Sequence, residues 1–93
     1  MSHDDVPVAT PEGKVFGETL RRLREAKGVT QEKLANSDRL GSGTMTTNYI
    51  SDLERGVKVP SLTTVLKLAY ALGCAPAELL ADFTPAALKR LFR

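Results

Sequence analysis

Thr46-Thr47-Asn48-Tyr49-Ile50-Ser51-Asp52-Leu53-Glu54-Arg55-Gly56 is the stretch on which the fold turns. Thr46 is a hydroxyl residue placed to cap a helix N-terminus. Tyr49, Ile50 and Leu53 follow at a spacing of i, i+1 and i+4, which gathers them on one buried helical face. Gly56 stands where a helix ends in a left-handed residue, a conformation glycine adopts without a Cβ clash. The other face carries Thr47, Asn48, Ser51 and Asp52, all short and polar. The stretch therefore predicts a short helix with one side in a core and the other offered to a partner.

Working outward, Pro60-Ser61 starts the next helix, in which Leu62, Val65, Leu66, Ala69 and Leu72 read as one apolar stripe before Gly73 stops it. Pro76 opens a short helix with Leu79 and Leu80 inward, and Thr84-Pro85 begins a last turn or two through Leu88, Leu91 and Phe92. Upstream, Thr30 caps a helix that turns Leu34 and Ala35 inward. The first helix carries Phe16, Leu20 and Leu23 and closes at Lys27-Gly28. Thr10-Pro11-Glu12 has the signals of its start, but Gly13 and Gly17 weaken a helix, so the firm start is placed nearer Lys14. No segment alternates as a strand does, and the fold class is all-α. The division is a flexible tail over residues 1–13, a helical domain over 14–82, and a short C-terminal helix or tail over 83–93.

A chain of 93 residues holds one domain and buries a modest share of its surface, so a homodimer is expected. The net charge of +2 hides an asymmetry. Residues 1–12 carry Asp4, Asp5 and Glu12 and no Lys or Arg, while the remaining 81 residues set all 13 Lys and Arg against 8 acids, a balance of +5. That balance suits a nucleic-acid surface. The scarcity of aromatics, with no Trp, disfavours single-strand binding by stacking. Cys74 is the sole cysteine and reads as a small buried hydrophobe in a cytoplasmic protein, and no apolar run is long enough for a membrane span. His3 stands alone in the tail, no Ser-His-Asp or metal-ligand spacing occurs, and Gly41 and Gly43 lack the Gly-Lys-Ser/Thr of a phosphate loop. Catalysis, metal and cofactor are accordingly not expected.

The run from Leu20 through Ala35 (Leu-Arg-Arg-Leu-Arg-Glu-Ala-Lys-Gly-Val-Thr-Gln-Glu-Lys-Leu-Ala), the Tyr49–Gly56 segment, Pro60-Ser61-Leu62 and the following helices resemble the lambda-repressor-like (XRE-type) regulators. The resemblance covers about residues 14–82. It implies a five-helix domain, here with a short extra C-terminal helix, whose second and third helices read DNA. It further implies a sequence-specific transcriptional regulator, a repressor or autoregulator, on a palindromic operator of double-stranded DNA. The alternative it allows is an antitoxin or interaction module that holds a protein toxin or other protein partner.

Residue by residue, Thr47 and Asn48 are placed to reach base edges in the major groove, with Ser51 and Asp52 one turn behind. Gln31 resembles the family's phosphate-bonding residue, at a helix start where free N–H groups suit an anion. Thr46 at the cap, and Arg55 and Lys58 after the helix, fall where the family meets the DNA backbone. Arg24 and Glu54 correspond to an internal ion pair. Two departures stand out. Eight residues separate Ala35 from Thr44, roughly five more than the family's usual turn before the reading helix. They are read as a second helix running to about Arg39, with Leu40 tucked under the third helix, a Gly41-Ser42-Gly43 turn, and Arg39 near the DNA backbone. The second departure is Ala75, where the family often has a capping hydroxyl.

Overall fold

The computed structural model describes residues 8–41 and 45–93. Among them are six helices and no strand: α1 (Pro11–Ala26), α2 (Gln31–Ala35), α3 (Thr47–Arg55), α4 (Leu62–Leu72), α5 (Pro76–Leu79) and α6 (Pro85–Leu91). The expected tail over residues 1–7, and Ser42 and Gly43 of the expected turn, lie outside the described residues.

α1 starts at Pro11, three residues earlier than the glycines suggested. Thr10 Oγ1 accepts from the N–H of Gly13 at 3.0 Å, and proline occupies the first turn, where a missing N–H costs nothing. The glycines have a tertiary reason. A Cβ on Gly13 would strike the carbonyl of Gly56, and one on Gly17 would strike the carbonyls of Leu53 and Glu54. α1 thus lies backbone to backbone against the end of α3, and Thr10 N–H donates to Gly56 O at 3.1 Å. Close approach offsets the poor helix propensity of glycine.

α2 is only five residues long and does not run to Arg39. Asn36, Ser37 and Asp38 follow Ala35, and such side chains compete with helical bonding. Ser37 Oγ accepts from Arg39 N–H at 3.2 Å, and the N–H of Leu40 donates to Ser37 O at 3.0 Å, so the chain turns instead. Leu40 nevertheless joins the core at 5% exposure, and Met45 is buried as well. Met45 and Ile50 occupy the positions of a hydrophobic staple around the Thr46 cap.

The core is built from Phe16 and Leu20 of α1, Leu34 of α2, Ile50 and Leu53 of α3, Val65, Leu68, Ala69 and Leu72 of α4, and Leu79 of α5. The apolar residues of α4 are therefore not one stripe. Val65, Leu68, Ala69 and Leu72 take the buried face, while Leu62, Leu66 and Tyr70, spaced by four, stay exposed. Leu80 likewise points outward where an inward position was expected. Ala75 supplies no side-chain cap to α5; its N–H donates to Glu78 Oε2 at 2.9 Å. Cys74 is half-buried against the core, and burial pushes its thiol pKa up. α6 buries Ala87 but leaves Leu88 and Phe92 exposed.

Candidate nucleic-acid interface

α3 is held by three independent devices. Thr46 Oγ1 accepts from Tyr49 N–H at 3.0 Å, Gly56 closes the far end at φ +80°, and Ile50 and Leu53 are fully buried. Behind the helix lies a polar clasp. Arg24 donates from Nε to Glu54 Oε2 and from Nη2 to Glu54 Oε1 at 3.0 Å, a bidentate pair, and from Nη1 to Val29 O at 2.7 Å. Gln31 Nε2 donates to Glu54 Oε1 at 2.9 Å. Hydrogen bonding to Glu54 raises the Arg24 pKa further, against the smaller opposing effect of burial. The Glu54 carboxylate thus ties α1 and α2 to the end of α3, and Arg24 ties in the loop before α2.

With that face fixed, Thr47 and Asn48 are exposed in the first turn of α3, and Ser51 is half-buried one turn later. Asp52 is not a bare group at the end of that row. Its Oδ1 accepts from Arg55 Nη2, and its Oδ2 lies 3.4 Å from Lys58 Nζ. Lys58 also sits 5.7 Å above the centre of the Tyr49 ring. The structure therefore brings together Asp52, Arg55 and Lys58, two cations and one acid at the C-terminal end of the polar face.

Arg39 is not brought to α3. Its guanidinium lies 5.1 Å from the centre of the Tyr70 ring, and Nη1 donates to Tyr70 O at 2.9 Å. The reason is electrostatic: the carbonyl end of α4 carries partial negative charge and attracts a cation. Lys67 takes a place near α3 that the sequence did not reveal. With Met45, Thr46, Tyr49 and Thr64 it lines an open groove of about 350 Å³ between α3 and α4. Its neighbours in sequence carry no sign of this, because the groove exists only once the tertiary fold sets α4 beside the start of α3.

No group of three or more His, Cys, Asp or Glu able to hold a metal occurs among the described residues. No helix among them is long and apolar enough to cross a membrane.

A family model described as a helix-turn-helix domain matches residues 15–83. Control protein C.BamHI of Bacillus amyloliquefaciens is 42% identical over 71 residues, which are 75% of this chain and 80% of that protein. The crystal structure of the restriction-modification controller protein C.AhdI from Aeromonas hydrophila superposes with a TM-score of 0.65 at 41% identity, over 73% of this chain and 96% of that one. ClgR, a clp gene regulator of C. glutamicum, superposes with a TM-score of 0.67 at 32% identity, over 85% of this chain and 91% of that one.

Proposed function

We propose, for a chain that belongs to the XRE-like helix-turn-helix family of DNA-binding transcriptional regulators and not to an enzyme family, that α3 reads a palindromic operator from the major groove of a homodimer's two half-sites. The observation that carries this reading is the pairing of opposites on α3. Ile50, Leu53 and Glu54 fasten one face, while Thr47 and Asn48 stand exposed at the N-terminal turn. A helix fits a major groove about 12 Å wide, and its first turn is the part that reaches base edges. Asn48 can pair bidentately with adenine, with Thr47 beside it and Ser51 behind.

Phosphates are assigned to Thr46, Gln31, Arg55, Lys58 and, new to the set, Lys67. Gln31 gives one amide hydrogen to Glu54 and keeps the second, so its place at the start of α2 still suits an anion. Arg39 is left out of this set, since its guanidinium is taken by Tyr70. Repression or autoregulation is the role assigned to the chain, in keeping with the regulators and controller proteins it resembles.

Dimerisation is assigned to α5, α6 and their ends, where Leu80, Leu88 and Phe92 are each exposed. Selection on random duplexes followed by footprinting tests the whole reading. Two protected half-sites about 34 Å apart are expected. A single unpaired half-site would remove the dimer, and no enrichment would remove the reading. Sedimentation of a chain ending at residue 83 tests the interface separately; an unchanged dimer would place it elsewhere.

A second reading, in which the chain also holds a protein toxin, has one observation in its favour: Leu62, Leu66 and Tyr70 form an exposed apolar row along α4. Co-purification of the native chain and of Leu66→Asp with the product of the adjacent gene tests it. Equal recovery, or none, sets that reading aside.

A further inference from the structure

Two of the cations assigned to the DNA backbone are already engaged in the free chain. Arg55 and Lys58 are well exposed, with side chains 60% and 56% accessible, yet both converge on the carboxylate of Asp52, which is only 22% accessible. Each takes a different oxygen, Arg55 Nη2 on Oδ1 and Lys58 Nζ near Oδ2. Both partners lie C-terminal to Asp52 and draw its carboxylate toward the Gly56 end of α3, away from the turn that carries Thr47 and Asn48.

We infer that Asp52 is an internal counter-ion that occupies Arg55 and Lys58 in place of phosphate, and that the DNA backbone takes both cations from it on binding. The inference rests on the duplex-binding reading above. A carboxylate offers the same chemistry to these donors as two non-bridging phosphate oxygens: acceptors only, negatively charged, in one plane. Exposed ion pairs are weak, so a run of phosphates can displace this one. While the carboxylate holds the cations, part of the gain from neutralising phosphate is already spent inside the protein. Asp52 then lowers affinity for every sequence alike and flattens the salt dependence, a role different from accepting a cytosine amino group.

The geometry also keeps both cations close to α3. Lys58 is placed over Tyr49, and Arg55 is three residues along the same helix, so both stay near α3 when the carboxylate lets go. The carboxylate sets how tightly they are held in the free chain.

The test is a double-variant cycle on the full chain, read by anisotropy with a labelled mixed-sequence duplex and with a duplex selected from a random pool, each at several salt concentrations. Asp52→Asn keeps the shape and removes the charge. It should bind both duplexes tighter, by the same factor of about two to five. Its log-affinity against log-salt line should steepen by about one per half-site. In the Arg55→Gln/Lys58→Gln background the same change should give no gain. A gain that persists there would mean plain repulsion between Asp52 and DNA, and would overturn the inference. So would weaker binding of the selected duplex alone with a changed preference at one base pair, which makes Asp52 a base reader. Unchanged affinity and slope would overturn it as well. If the native chain and Asp52→Asn are both folded and bind neither duplex, the duplex-binding reading itself falls and takes the inference with it.

Discussion

Asp52 and Glu54 stand two residues apart on α3, each paired with an arginine, and the two pairs sit in different surroundings. The Arg24 and Glu54 side chains are 10% and 4% accessible, and a further donor, Gln31, completes the cage around the carboxylate. The Arg55 and Asp52 side chains are 60% and 22% accessible, and water competes for both. The same chemistry therefore has two uses on one short helix. The buried pair fixes where the helix lies, because neither charge has another place to go. The exposed pair is exchangeable, because solvent or phosphate can replace either partner at little cost.

The largest effect expected from this contrast is on folding. Glu54→Ala leaves the Arg24 guanidinium buried without its counter-charge and removes the acceptor of Gln31, a loss of about 3–5 kcal/mol. At roughly 4–8 °C per kcal/mol for a domain of this size, the melting temperature should fall by more than about 12 °C. Glu25→Ala is the matched control, since its pair with Arg21 is exposed at 54% and 64% and is worth about 0.3–0.5 kcal/mol. Equal melting temperatures for the two variants would show that the clasp holds nothing.

Next in size is the backbone contact behind the same clasp. Gly17→Ala improves helix propensity by about 1 kcal/mol, so a chain judged by propensity alone would gain. Here the new methyl meets the carbonyls of Leu53 and Glu54, and overpacking of this kind costs about 1–3 kcal/mol. A net loss on chemical denaturation is expected, and a net gain would mean that α1 and α3 can part without penalty. The exposed side of the helix should respond in binding and not in folding. Asn48→Ala should cost about 1–3 kcal/mol on a selected duplex and relax preference at one base pair. Lys58→Ala should weaken selected and random duplexes alike and lower the salt slope by roughly one per half-site. Titration of both duplexes with both variants decides the matter; a reversed pattern would exchange the reading and holding roles.

What the sequence disclosed follows the same division between near and far. α3 was legible because its cap, its apolar spacing and its terminal glycine all lie within eleven consecutive residues. Gly13 and Gly17 were read as a weakness because propensity is a local quantity, while the carbonyls they admit come from residues some forty positions away. Leu40 was rightly expected in the core, yet α2 stops at Ala35 short of it, since Ser37 and its neighbours offer the backbone a turn. Leu62 and Leu66 fit an apolar helix pattern as well as Leu68 does, and only the packing phase of α4 tells buried from exposed. Arg39 on Tyr70, and Lys67 on the same groove as Thr46, depend wholly on where the tertiary fold sets α4. No spacing in the chain encodes those meetings.

The smallest effect expected comes from a third carboxylate, more exposed than Asp52 at 48% but bonded to one buried partner. Asp82, in the link from α5 to α6, accepts from the buried Thr19 hydroxyl at 2.9 Å and from exposed Arg22 Nη2 at 3.1 Å. Thr19, foremost, and then Arg22 hold its pKa below the ordinary carboxylate value. A depressed folded-state pKa stabilises the fold at any pH above the unfolded value, and that contribution is lost as pH falls through the folded one. Asp82→Asn should therefore melt slightly below the native chain at neutral pH, and the gap should close on acidification below the usual aspartate range. Added salt should shrink the Arg22 share and spare the Thr19 share, because only the former is an exposed charge pair. Melts of both chains at pH 7 and near pH 3, each at low and high salt, give the comparison. A gap that stays constant between the two pH values would show that Asp82 acts through shape, with no part for its charge. A gap as wide as that of Glu54→Ala would mean that an exposed carboxylate with one buried partner behaves as a buried one, and the contrast between Asp52 and Glu54 would lose its basis in burial.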